Sequence, residues 1–204
     1  MGAHCSFGEE TMSGDGTSGN GNCSATAFLN ALNHVLAENG IERYDDPQEP
    51  PRVYRGHMFG CSALDHHSSH VLAELAARAA AIAPCPNLAL IDEISHRVIF
   101  LPRTFPQPLA TGYYEKNDGD PVAVWVGSLP QLMQELVWLA RELRIPLLMN
   151  GKLSTETAFA INMFRPFHKR DTTKLIESYR TAWLALYEGA RLAMENRIAL
   201  TLMD

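Results

Sequence analysis

The segment from Pro121 to Gly151 constrains the fold more than any other part of the chain. VAVWVG (122–127) is a continuous apolar run, the pattern of a strand buried on both faces. Ser128-Leu-Pro-Gln131 follows as a capping box, and Leu132, Leu136, Leu139, Ala140 and Leu143 continue it along one helical face. IPLLMN (145–150) is a second apolar run. Strand, helix and strand within about 30 residues predict a βαβ unit with parallel strands and a right-handed crossover. The connection is too long for a hairpin.

Helical periodicity recurs on both sides of this unit. Residues 24–38 place Ala25, Phe28, Leu29, Leu32, Val35 and Leu36 on one face, and Asn39-Gly40 supplies a stop. Residues 62–82 begin at Ser62, with Asp65 three positions on, and end before Pro84. A short helix is expected over about 154–164 and a long one over about 172–195, the latter with Tyr179, Trp183, Leu186 and Tyr187 on its apolar stripe. AHCSF, LALID, RVIFL and IALTLM are the remaining strand candidates. Residues 8–22 read as a mobile glycine-rich loop, and 102–121 as a loop of proline and glycine. This alternation predicts one α/β domain over residues 1–204, a three-layer sandwich with a largely parallel, Rossmann-like sheet.

Charge narrows the partners. The formal charge is −6 and Lys and Arg are scattered, so no basic stripe exists to neutralise phosphates and no nucleic-acid partner is expected. No apolar run approaches ~18 residues, so no membrane span is expected. MGAHCSFGEE has neither the basic nor the apolar region of a secretory signal. Four cysteines without a CxxC pair fit reduced thiols and a cytoplasmic location.

In a parallel sheet, ligands bind beyond the carboxyl ends of the strands. Those ends would carry Ser6 and Gly8, Gly127 and Ser128, and Asn150 and Lys152, with Asn20 in the adjoining loop. Helix N-termini and Lys152 would favour an anion there. The leading expectation is therefore an enzyme or sensor for a small phosphate- or nucleotide-like ligand, with Asp92 and Glu93 as acid or base. Neither GxGxxG nor GxxxxGK[ST] occurs, so no cofactor is specified. Homo-oligomers stay open.

GNGNCSATAFLNAL (19–32) delivers Cys23 to the first turn of a helix, where unpaired N–H groups lower a thiol pKa. This stretch loosely resembles the cysteine region of papain-like and OTU-type peptidases. The resemblance covers about 14 residues and implies a cysteine hydrolase, with Cys23 as nucleophile, His96 as base and Asn20 as an oxyanion donor. It departs from those families in lacking an aromatic residue or leucine after the cysteine.

GCSALDHHSSHVL (60–72) raises a metal site, because His66 and His70 lie one helical turn apart. With His57 and Cys61 the spacing is H-x3-C-x4-H-x3-H, which completes no recognised zinc pattern, and no tightly held metal is expected. A third reading is a non-catalytic interaction protein, toxin-neutralising or regulatory. It fits the acidic charge and the lack of a firm catalytic motif.

Overall fold

The computed structural model describes residues 3–4, 22–45, 66–81, 97–115, 121–163 and 175–202. In chain order they form β1 (Ala3–His4), α1 (Asn22–Glu38), α2 (His66–Ala80), β2 (Arg97–Leu101), β3 (Leu109–Glu115), β4 (Pro121–Ser128), α3 (Leu129–Glu142), α4 (Thr155–Met163), α5 (Leu175–Asn196) and β5 (Leu200–Leu202). LALID lies outside the described residues. None of the described helices is long and apolar enough to cross a membrane.

The sheet is small and mixed, with strand order β1-β5-β2-β4-β3. Only β2 and β4 run parallel; β1·β5, β2·β5 and β3·β4 are antiparallel. This corrects the expected Rossmann-like sheet. The parallel pair does not come from a helical crossover. β2 is followed by β3 at the outer edge, and β4 returns between them, antiparallel to β3 and parallel to β2.

The predicted βαβ unit fails at its second strand. IPLLMN makes one isolated antiparallel bridge, Leu147 to Leu153, around a tight turn. β4 already has β2 and β3 as neighbours, so no place beside it is vacant. Pro146 also lacks the N–H that a central strand must donate. Leu148 is half-exposed and Met149 fully exposed, so the run's apolar character does not report burial.

β3 lies in the segment expected to be loop. Its Thr and paired Tyr residues favour extended backbone despite the flanking prolines. One extra residue separates the Ala110 and Tyr113 pairings with β4, and Gly112 falls within that bulge.

Alternating residues divide the sheet between two cores. Phe100 and Leu200 face a large cluster with α2, α3, α4 and α5. Ile99, Leu101, Val126 and Ala199 face a smaller one with Leu32 and Leu36 of α1, Tyr44 and Phe105. In the large cluster the fully buried Trp183 stacks on Tyr187, with centroids 4.8 Å apart, and donates its indole N–H to Leu136 O at 2.8 Å. The aromatic pair is thus buried within α5 with its indole N–H satisfied by α3.

Three helices end alike. After α1, α3 and α5 the chain reverses with the two hydrogen bonds of a Schellman motif, and Ile41, Ile145 and Ile198 follow as the apolar residue. The left-handed position is Gly40 in the first case, at φ +68°, but Arg144 at φ 53° and Arg197 at φ 57° in the others. Those arginines hold a backbone conformation that costs an L side chain about 1–2 kcal/mol.

Candidate functional site

Of the expected strand-end residues, Gly127, Ser128, Asn150 and Lys152 are described, and none of them lines the clefts noted below. Gly127 pairs with Phe100 across β2 and β4, and a Cβ there would come within 2.6 Å of the Phe100 ring. Its lack of a side chain is thus accounted for by packing. Ser128 is 1% exposed and caps α3, its Oγ accepting from Gln131 N at 3.4 Å. Asn150 and Lys152 are both exposed and occupy the turn after Pro146, where Asn150 Oδ1 accepts from Lys152 N at 3.0 Å. That turn is pinned to α5 by the Tyr187 hydroxyl, which donates to Gly151 O at 3.2 Å. Burial pushes the Tyr187 phenol above its usual pKa.

Cys23 lies in the first turn of α1, as the peptidase resemblance requires of its backbone. His96, Asp92, Glu93, Asn20, Ser6 and Gly8 lie outside the described residues, as do His57 and Cys61. His66 and His70 are in the first turns of α2. Among the described residues no three His, Cys, Asp or Glu side chains converge as a metal-sized group.

A different feature stands out at the end of α1. Glu38, the last residue of α1, and Glu42 and Asp45, on the short segment that follows the turn, present exposed carboxylates. The segment is held rather than loose. The Asn33 side chain donates to Tyr44 O at 2.9 Å and accepts from Tyr44 N at 2.7 Å, imitating a strand partner. Tyr44 is buried, and its hydroxyl accepts from Ala199 N at 2.8 Å. Arg103 donates one Nη to Glu42 at 2.6 Å and the other to Arg43 O at 2.7 Å. Arg43 in turn pairs with Asp45 at 2.9 Å.

These contacts bridge 11, 60, 61 and 155 positions of sequence, so no local pattern discloses them. The exposure of Glu42, whose side chain is 84% accessible, limits the worth of its ion pair with Arg103 to at most about 1 kcal/mol. Positioning of the carboxylates therefore comes mainly from Tyr44 and Asn33.

A second feature is a cleft of about 530 Å³ between the end of α3, α4 and α5. Ile145, Pro146 and Ile161 form apolar lining, and Arg144, Glu156, Glu177 and Arg180 supply charge. Arg180 Nε donates to Leu143 O at 2.9 Å, satisfying a carbonyl at the end of α3. Glu156 sits in the first turn of α4, where hydrogen bonds from its own N–H and from Ser154 hold its carboxyl below the usual pKa.

No curated protein and no solved structure matches the chain. A family model described as "Putative DNA-mimic protein" matches residues 65–202, well over half of the chain. The match overturns the expected partner, a small-molecule ligand with no connection to nucleic-acid binding, and leaves the Rossmann and hydrolase readings unsupported. It agrees with the third reading, an interaction protein. Within 65–202 there are fourteen Asp and Glu and fourteen Lys and Arg, so the acidic excess of the chain lies outside the matched part. By the extent of that match, the chain belongs to this DNA-mimic family.

Proposed function

We propose that this protein is a non-catalytic partner of a DNA-binding protein and occupies the surface that would otherwise hold DNA. The family match carries this reading. Duplex DNA presents one negative charge per about 1.7 Å of axis, so a protein substitute needs closely spaced anions on a firm support. Glu38, Glu42 and Asp45, continued in sequence by Asp46 and Glu49, supply five carboxylates within twelve positions, with Arg43 as the only Lys or Arg among them. Tyr44 and Asn33 provide the support for the described part of this segment.

The test is competition. The tagged full chain is used to capture a protein from its source cells, and the captured protein is then titrated with a short DNA duplex. The expected result is mutual exclusion: duplex releases the captured protein, and added salt weakens its complex with this chain, because exposed charge pairs are screened. The triple variant Glu38→Gln, Glu42→Gln, Asp45→Asn should keep the fold and lose at least tenfold in affinity, about 1.4 kcal/mol. A captured protein that binds duplex and this chain together would refute mimicry. Unchanged affinity of the triple variant would move the mimic surface elsewhere.

A further inference from the structure

The five exposed large hydrophobic residues among the described ones all fall in one stretch of chain. Leu148 and Met149 are on the turn after α3, Phe159 and Met163 are on α4, and Ile176 opens α5. The same elements frame the cleft lined by Arg144, Glu156, Glu177 and Arg180. Exposed apolar side chains gathered on the elements that frame a charged cleft mark an interaction site rather than ordinary exterior.

The charges indicate the occupant. Two arginines and two glutamates share the cleft, and none of the four forms an ion pair with another described residue. Glu177 Oε2 is shielded from water, yet no donor reaches it. A buried acceptor left without a donor is a cost borne within the chain itself. Arg144 also keeps its left-handed backbone, at φ 53°, where glycine would be strain-free. That strain makes sense if the guanidinium is needed at the cleft rim.

Equal numbers of both signs in an apolar surround do not suit the basic face of a DNA-binding protein. They suit a copy of the same surface. In a two-fold interface each residue meets its counterpart reciprocally, so a patch with matched cations and anions is complementary to itself. We infer that this face joins two copies of the chain, with Arg144 and Arg180 of each reaching Glu156 and Glu177 of the other. This inference is independent of the proposed mimicry, which uses the segment after α1.

Sedimentation equilibrium of the full chain, from low micromolar to near-millimolar concentration, tests it. The expected mass at high concentration is twice that of the chain. Phe159→Asp with Met163→Asp changes two exposed side chains, so circular dichroism should be unchanged while the dimer is lost. Arg144→Glu and Glu156→Arg should each give monomers alone, through paired like charges. Mixed together they should form a one-to-one heterodimer, because both reciprocal contacts then join opposite charges. A wild-type monomer at every concentration overturns the inference, and so does a dimer that survives Phe159→Asp with Met163→Asp. Failure of the mixed variants to associate, with both folded, overturns the assignment of the charged contacts.

Discussion

The two faces of the sheet are built on different scales. One carries four helices over a core that includes Trp183, Tyr187, Leu132, Leu136 and Phe100. The other carries α1 over a core in which Leu32, Leu36 and Tyr44 meet Ile99, Leu101 and Val126. The thick face is drawn from residues 65–202, the part that matches the family and carries no net charge. The thin face depends on α1 and Tyr44, from the acidic part. Stability and acidity therefore reside in different parts of one chain. A surface that must present like charges weakens compactness through self-repulsion, and placing it on the thin side leaves the main core free of that penalty.

The sharpest way to break this contrast is to hollow each core in turn. Trp183→Ala should cost about 3–5 kcal/mol, since it empties a fully buried site and leaves Leu136 O without its donor. Leu36→Ala should cost about 2–3 kcal/mol, toward the low end of leucine truncations, because a thin layer collapses more readily around a void. Urea unfolding followed by circular dichroism gives both values. Hydrogen exchange adds the spatial test: in Leu36→Ala the α1 amides should exchange well before those of α5. Simultaneous exchange of both helices would show that the two faces form one cooperative unit.

A smaller change isolates the polar link between the acidic segment and the sheet. Tyr44→Phe keeps the ring in place but removes the hydroxyl that accepts from Ala199 N, leaving a buried N–H unpaired. The expected loss is about 1–2 kcal/mol. It should be accompanied by faster exchange of the Ala199 amide, with the protection of α5 unchanged. An unaltered Ala199 amide would mean that the hydroxyl contributes little to holding the acidic segment on the sheet.

Much of the secondary structure could be read from periodicity, and little of the topology could. The helices containing Leu36, Leu72, Leu136, Ala158 and Trp183 follow from apolar residues three and four apart, a pattern set by the helix itself. RVIFL and the end of IALTLM are strands, as their apolar runs suggest. IPLLMN carries the same signal and is a turn, because a continuous apolar run records local composition while sheet membership depends on a vacant neighbour. β3 was hidden for the opposite reason: prolines at its borders mimic a loop, and its partner lies across a bulge. The acidic segment was visible only as scattered carboxylates. Its fixed geometry depends on Tyr44, Asn33 and Arg103, whose bonds join distant positions. Charge summed over the whole chain likewise concealed that 65–202 is neutral.

The smallest expected effects come from the helix ends, where the two faces share a geometry but differ in residue. Gly40 ends α1 on the thin side, and Arg197 ends α5 beneath the thick side, both in the left-handed region. A Cβ at Gly40 would meet nothing within 4 Å, so Gly40→Ala tests backbone conformation with no steric contact added. It should destabilise by about 1 kcal/mol. Arg197→Gly relieves the same strain in the opposite direction but enlarges the conformational freedom of the unfolded chain. The two terms partly cancel, leaving a gain of at most about 0.5–1 kcal/mol. Thermal unfolding of both variants beside the parent chain measures the pair. A loss on Arg197→Gly would mean that the Arg197 side chain makes a stabilising contact, to be sought in the cleft it lines with Tyr44, Asp45 and Arg103, and would tie the end of α5 to the acidic segment.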